Sequence, residues 1–121
     1  MNWLVWTIVG GGIVAFSILK RMALVPQPRA RELIATGAII IDVRSAAEFE
    51  NRHLPGVRNI PLDRLREEVE RQAPDKSQAI LLHCLSGGRS GIGKSLLKAK
   101  GYQHVFNLGS YQRAARIIEK C

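Results

Sequence analysis

Two short stretches constrain this chain more than anything else in it. Ala38-Ile-Ile-Ile-Asp-Val43 and Ala79-Ile-Leu-Leu-His-Cys84 are nearly continuous apolar runs of strand length. A strand with one face in water alternates apolar and polar side chains. These do not, so both must be covered on both faces. A parallel sheet with helices packed on each side provides that cover. The intervening segments carry the helical signals this requires. Ala30–Thr36 has short helical character and stops at Gly37. Ser45-Ala-Ala-Glu48 is a capping box, so a short helix starts at Ser45. Leu62–Gln72 sets Leu62, Leu65 and Val69 on one helical face. Ser90–Lys100 predicts a helix ending at Gly101, and Tyr111–Lys120 a basic terminal helix. Pro55-Gly56 marks a turn, and Val57–Ile60 and His104–Leu108 read as shorter strands. Strand and helix alternate, so the expected fold is a single α/β domain with a mainly parallel sheet flanked by helices. At 121 residues there is room for one such domain.

The first segment is different. Trp3–Leu19 has no charged side chain, and Lys20-Arg21 follow at once. As a helix it would be about 25 Å long, the short end of what crosses a bilayer. Trp3 and Trp6 stand at one end, where aromatic belts form. A cleaved signal peptide fits less well, because Met1-Asn2 offers no basic side chain and no small-residue cleavage site follows. The sequence therefore predicts a transmembrane anchor over 1–22, a linker over 23–29 around Pro26-Gln-Pro28, and a folded domain over 30–121. Lys20, Arg21, Arg29 and Arg31 then put that domain in the cytoplasm of a single-pass membrane protein.

The net charge is +8, concentrated after residue 80, where seven basic side chains face only Glu119. Such a region attracts anionic lipid or a small anionic substrate. No nucleic-acid motif accompanies it. Two cysteines, Cys84 and Cys121, are too few for a disulfide scaffold, and no Cys/His spacing calls for a metal. Nothing in the sequence calls for a cofactor.

The chemistry is concentrated in His83-Cys-Leu-Ser-Gly-Gly-Arg-Ser90. A cysteine ends a buried strand, a tight loop follows, and a helix begins. Gly87 and Gly88 permit the positive φ angles of a tight cradle. Successive N–H groups in such a loop form an anion nest, and the helix N-terminus adds partial positive charge. With Arg89 these groups lower the Cys84 pKa and favour the nucleophilic thiolate. The competing reading is a buried, inert cysteine before an ordinary turn.

Cys84-Leu-Ser-Gly-Gly-Arg-Ser90 resembles the Cys-x-x-Gly-x-Arg-Ser loop of rhodanese-type sulfurtransferases. Ile41-Asp-Val-Arg-Ser-Ala-Ala-Glu-Phe49 is similar to the first motif of that family. His53-Leu-Pro-Gly-Val57 and Asn59-Ile-Pro61 resemble the segment that follows it, and Gly101–Gly109 resembles the last strand. The match runs in order from about residue 28 to 112. An anchored single rhodanese domain also occurs in bacteria, which makes the bacterial inner membrane the expected location. The resemblance implies that Cys84 takes sulfane sulfur from thiosulfate or a persulfide donor and passes it to a thiol or cyanide. It implies that Leu85, Ser86, Gly87, Gly88, Arg89 and Ser90 bind the substrate, with Arg89 on an oxyanion. Asp42 and Arg44 are read as scaffolding, with Arg44 expected to pair with Glu48. Arg52 and Ser110 replace glycines usual in the family, and Leu85 stands where many thiosulfate enzymes carry a basic residue.

Three other readings compete. Gly88-Arg-Ser-Gly-Ile-Gly-Lys-Ser95 fits the Walker A pattern for nucleotide phosphates, but it leaves Cys84 unused. Cysteine phosphatases share the architecture but place five residues between cysteine and arginine, where this chain has four. A non-enzymatic docking module at the membrane is the main alternative. Cys121 is expected to be a free thiol.

Overall fold

The computed structural model of the chain describes residues 2–121; for residues 16–22 it describes the backbone and not the side chains. Four strands form one sheet: β1 (Ile39–Asp42), β2 (Arg58–Asn59), β3 (Ile80–His83) and β4 (Val105–Gly109), in the order β2-β1-β3-β4. All three pairings are parallel. The two apolar runs lie side by side at its centre, Ile39 opposite Ile80 through Asp42 opposite His83.

Alternation along these strands sends side chains to two cores. Ile41, Leu82 and Cys84 join Ile60, Leu65, Val69 and Leu97 on one side. There the sheet is covered by α4 (Leu62–Gln72) and α5 (Gly88–Ala99). Ile40 and Leu81 join Ala30, Leu33, Leu108, Tyr111, Ala114 and Ile117 on the other, under α2 (Gln27–Ala35) and α6 (Tyr111–Glu119). Each Ile or Leu taken fully out of water contributes about 1.5–3 kcal/mol, so the two layers hold the sheet from both faces.

The helix starts follow the local chemistry. Ser45 caps α3 (Ala46–Asn51) with a complete capping box: its hydroxyl accepts from the Glu48 N–H, and the Glu48 carboxylate accepts from the Ser45 N–H. Ser110 caps α6 by accepting from the Arg113 N–H. Arg52 and Ser110 fit where the family favours glycine, because both adopt extended backbone. Helix α5 begins two residues before the expected Ser90. Gly87 precedes it with φ +99, a conformation that a Cβ would strain. Gly93 lies inside α5 and is a close-packing point: a Cβ there would meet Leu65 Cδ2 and Leu82 Cδ1 at 3.0 Å.

The segment 23–29 is not a free linker. The Val25 N–H donates to the Asn107 carbonyl (3.0 Å), Val25 is buried, and α2 already begins at Gln27. Pro28 sits in the first turn, where its missing N–H loses no helical bond. The transmembrane helix expected over 1–22 is not supported. A helix, α1 (Trp3–Met22), is present, and Trp3, Trp6, Ile8 and Ile13 are exposed on it. Among the described residues, no helix is long and apolar enough to cross a membrane. Gly10–Gly12 dilute the apolar run, and Met1 and the side chains of 16–22 lie outside the described residues.

Candidate active site

The site forms one residue beyond β3, at the carboxyl end of the parallel sheet, where crossovers leave room for ligands. Cys84 is 1% exposed, yet its sulfur faces the loop that follows. The Gly87 N–H donates to Cys84 Sγ at 3.0 Å, and Ser90 Oγ stands 3.5 Å from it. Burial pushes the thiol pKa up, but the Ser90 hydroxyl and the N–H groups of Ser90, Gly87 and Ser86 outweigh it. The net displacement is downward, toward a thiolate.

The loop is tied to the end of β4. The Cys84 N–H donates to the Gly109 carbonyl (3.2 Å), and the Tyr111 N–H to the Leu85 carbonyl (3.2 Å). Ser86 and Ser110 form an antiparallel bridge. Beneath the loop lies Asn107, fully buried. Its Oδ1 accepts from the Ser90 hydroxyl (2.7 Å) and the Gly109 N–H (2.9 Å), and its Nδ2 donates to the Gly87 carbonyl (3.1 Å). Asn107 therefore holds Gly87 and Ser90, two of the three residues that address the sulfur. The sequence offered a signal for it: an amide inside a buried strand demands partners.

The six loop residues are brought together in different roles. The Gly87 N–H bonds the Cys84 sulfur, and the N–H groups of Ser86 and Ser90 help to lower its pKa. Gly88 opens α5. Leu85 leaves its side chain 59% exposed at the rim. Arg89 does not stand free. Its Nη1 donates to Glu48 Oε1 at 2.7 Å and its Nη2 to Glu48 Oε2 at 3.1 Å. The hydrogen bonds from Arg89 hold the Glu48 pKa down at about 2. Arg89 also lines a cleft of about 660 Å³ with Val43, Ala46, Asn59, Pro61 and Leu62 among others.

The expected Arg44–Glu48 pair does not form. Arg44 Nη2 and Nε donate to Asp42 Oδ2 at 2.8 and 2.9 Å, and both side chains are buried. Arg44 lies before the cap of α3, so the helical i, i+4 relation does not apply to it. His83 points to the opposite face from Cys84, with Nε2 3.7 Å from Asp42 Oδ2. Burial pushes its pKa down, so it is neutral and structural. The Walker A reading fails on geometry, since Gly88–Ser95 is helical and forms no phosphate loop before the helix.

Comparison with known proteins agrees with this architecture. The model of the rhodanese-like domain matches residues 27–114. The thiosulfate sulfurtransferase PspE of Escherichia coli K12 is 36% identical over 75 residues, covering 62% of this chain and 72% of PspE. A solved E. coli rhodanese with anions superposes with a TM-score of 0.61 at 34% identity, covering 64% of this chain and 91% of that one. The human single-domain sulfurtransferase TSTD1 gives 0.66 at 27% identity, covering 77% and 95%. The chain belongs to the rhodanese-like domain family.

Proposed function

We propose that this protein is a sulfurtransferase working through a persulfide on Cys84. One observation carries the reading: Cys84 Sγ accepts the Gly87 N–H in a loop whose Ser86 and Ser90 N–H groups also lower its pKa. Donors of this kind hold a charge on sulfur, and the same loop receives it before and after transfer. The Cys84 thiolate attacks the terminal sulfur of a thiosulfate or persulfide donor. The new Cys84 S–S bond forms as the donor's own S–S bond breaks, and sulfite or a thiolate leaves with the electron pair. A thiol or cyanide acceptor then attacks the outer sulfur and releases Cys84 as thiolate. No separate base is required when the attacking group is already ionised.

We also propose, on the uncharged run over 3–19 followed by Lys20-Arg21, that the N-terminal segment anchors the chain at a bilayer with the domain on the cytoplasmic side. Carbonate-resistant association of the full chain with membranes is expected; extraction into the soluble fraction would contradict it. A reporter fused after Cys121 should be active only on the cytoplasmic side.

Turnover tests the reaction. With thiosulfate or an organic persulfide and cyanide, the full chain should form thiocyanate and Cys84→Ser should not. Equal rates for the two would refute the Cys84 route. No turnover with any sulfur donor would favour a docking module instead.

A further inference from the structure

The arginine that the loop carries at its mouth is electrically cancelled. Glu48 grips Arg89 with both carboxylate oxygens, at 2.7 and 3.1 Å. The Glu48 side chain is itself fixed, because its Oε1 also accepts from the Ser45 N–H (3.2 Å) and hydroxyl (3.1 Å) in the capping box of α3. Other described cations at this end of the sheet have partners of their own. Arg44 is paired with Asp42. Arg113, beside Gly109, donates to the Leu108 and Val25 carbonyls. Arg52 stacks on Tyr111, which belongs to the core on the other face of the sheet from Cys84. The rim residue next to Cys84 is Leu85, apolar and exposed. Among the described residues, the mouth thus offers backbone N–H groups for one anionic sulfur, while the guanidinium that the loop itself carries is taken up by Glu48. Beyond Arg89 a cleft lined by the apolar Val43, Ala46, Pro61 and Leu62, and also by the charged Asp63, Arg64 and Glu68, has room for an organic group.

We propose that Glu48 is a specificity-determining residue: by holding Arg89 it selects singly charged organic sulfane-sulfur donors, R–S–S⁻ or R–SO₂–S⁻, over dianionic thiosulfate. This rests on the sulfurtransferase reading and adds the donor class. In each case the Cys84 thiolate forms the S–S bond to the terminal sulfur and the donor's S–S bond breaks. R–S⁻, R–SO₂⁻ or sulfite leaves with the electron pair, and the total charge is conserved.

The test compares thiosulfate with benzenethiosulfonate, using cyanide as acceptor and the full chain as wild type, Glu48→Gln and Glu48→Asp. Glutamine keeps the side-chain acceptor of the capping box and removes the charge. Wild type should show a kcat/KM for benzenethiosulfonate at least about tenfold above that for thiosulfate, the scale of one charged hydrogen bond. Glu48→Gln should raise the thiosulfate-to-thiosulfonate ratio about tenfold, through the thiosulfate KM, and added salt should erase the gain. Glu48→Asp should keep the wild-type preference. Equal use of the two donors by wild type overturns the proposal without any variant. A ratio in Glu48→Gln within twofold of wild type also overturns it. Absence of sulfur uptake on Cys84 from both donors is a different result, which removes the sulfurtransferase reading itself.

Discussion

Gly87 donates its backbone N–H to Cys84 Sγ across 3.0 Å, and it does so from a φ of +99. The loop conformation and the ionisation of the nucleophile are therefore the same feature. Ser90 places a hydroxyl 3.5 Å from that sulfur, its single proton shared with Asn107 Oδ1 at 2.7 Å. The Cys84 thiol should titrate below the ordinary thiol range. Alkylation of the full chain by iodoacetamide, followed against pH, should show that lowered midpoint, with Cys121 replaced by Ser to leave one thiol. Ser90→Ala should move the midpoint up by less than about one pH unit, the worth of a full hydrogen bond to a charged group, because the hydroxyl divides its one proton between the sulfur and Asn107. An unmoved midpoint would remove Ser90 from the thiolate's support.

Asp42 and Arg44 are a buried ion pair at the carboxyl end of β1, and Arg44 Nη2 also donates to the Arg52 carbonyl at 2.6 Å. Asp42→Ala leaves a guanidinium buried without its counter-charge. The expected cost is about 3–5 kcal/mol, read as a lower urea midpoint. A loss below about 1 kcal/mol would mean that water reaches Arg44 in the variant.

That pair also shows where the sequence was legible and where it was not. The strands, the capping box at Ser45 and the loop around Cys84 are written in local patterns that tertiary structure reinforces. The partners of Glu48 and Arg44 are not. Glu48 meets Arg89 across the fold, 41 positions away, and Arg44 folds back onto Asp42 because Ser45 delays the helix. Charge pairing is decided by which ends of strands and helices converge, and one linear sequence does not state that. Asn107 is a middle case: its buried strand is visible, but the loop groups it binds are not. The segment 23–29 reads as a linker because Pro26 and Pro28 suit both an extended segment and a helix start.

Gly93 gives a packing prediction with competing signs. Alanine gains about 1 kcal/mol of helix propensity over glycine. Its Cβ would stand 3.0 Å from Leu65 Cδ2 and from Leu82 Cδ1. Both leucines are fully buried in the same packed core. Overpacking of this kind costs about 1–3 kcal/mol, so Gly93→Ala should be net destabilising in thermal or urea unfolding. A stabilised variant would show that α5 can lift off the sheet.

His83 predicts an acid-side loss of stability. Burial holds its pKa below the ordinary value of 6.5, which the unfolded chain retains. Below that pH the unfolded state takes up a proton that the folded state does not. Stability should be fully present above about pH 6.5, fall as the pH drops toward the lowered folded value, and then level for this group. His83→Leu should flatten urea midpoints across that window. Glu48 acts lower, its contribution being lost as the pH falls from 4.5 toward about 2. A slope unchanged by His83→Leu would assign the loss to other groups.

The most direct test of the central claim is the intact mass of the full chain after exposure to a sulfur donor and again after cyanide. Wild type should gain one sulfur atom, located on the peptide containing Cys84, and lose it to cyanide as thiocyanate. Cys84→Ser should gain none. A gain located on Cys121, or one that survives in Cys84→Ser, would contradict the account.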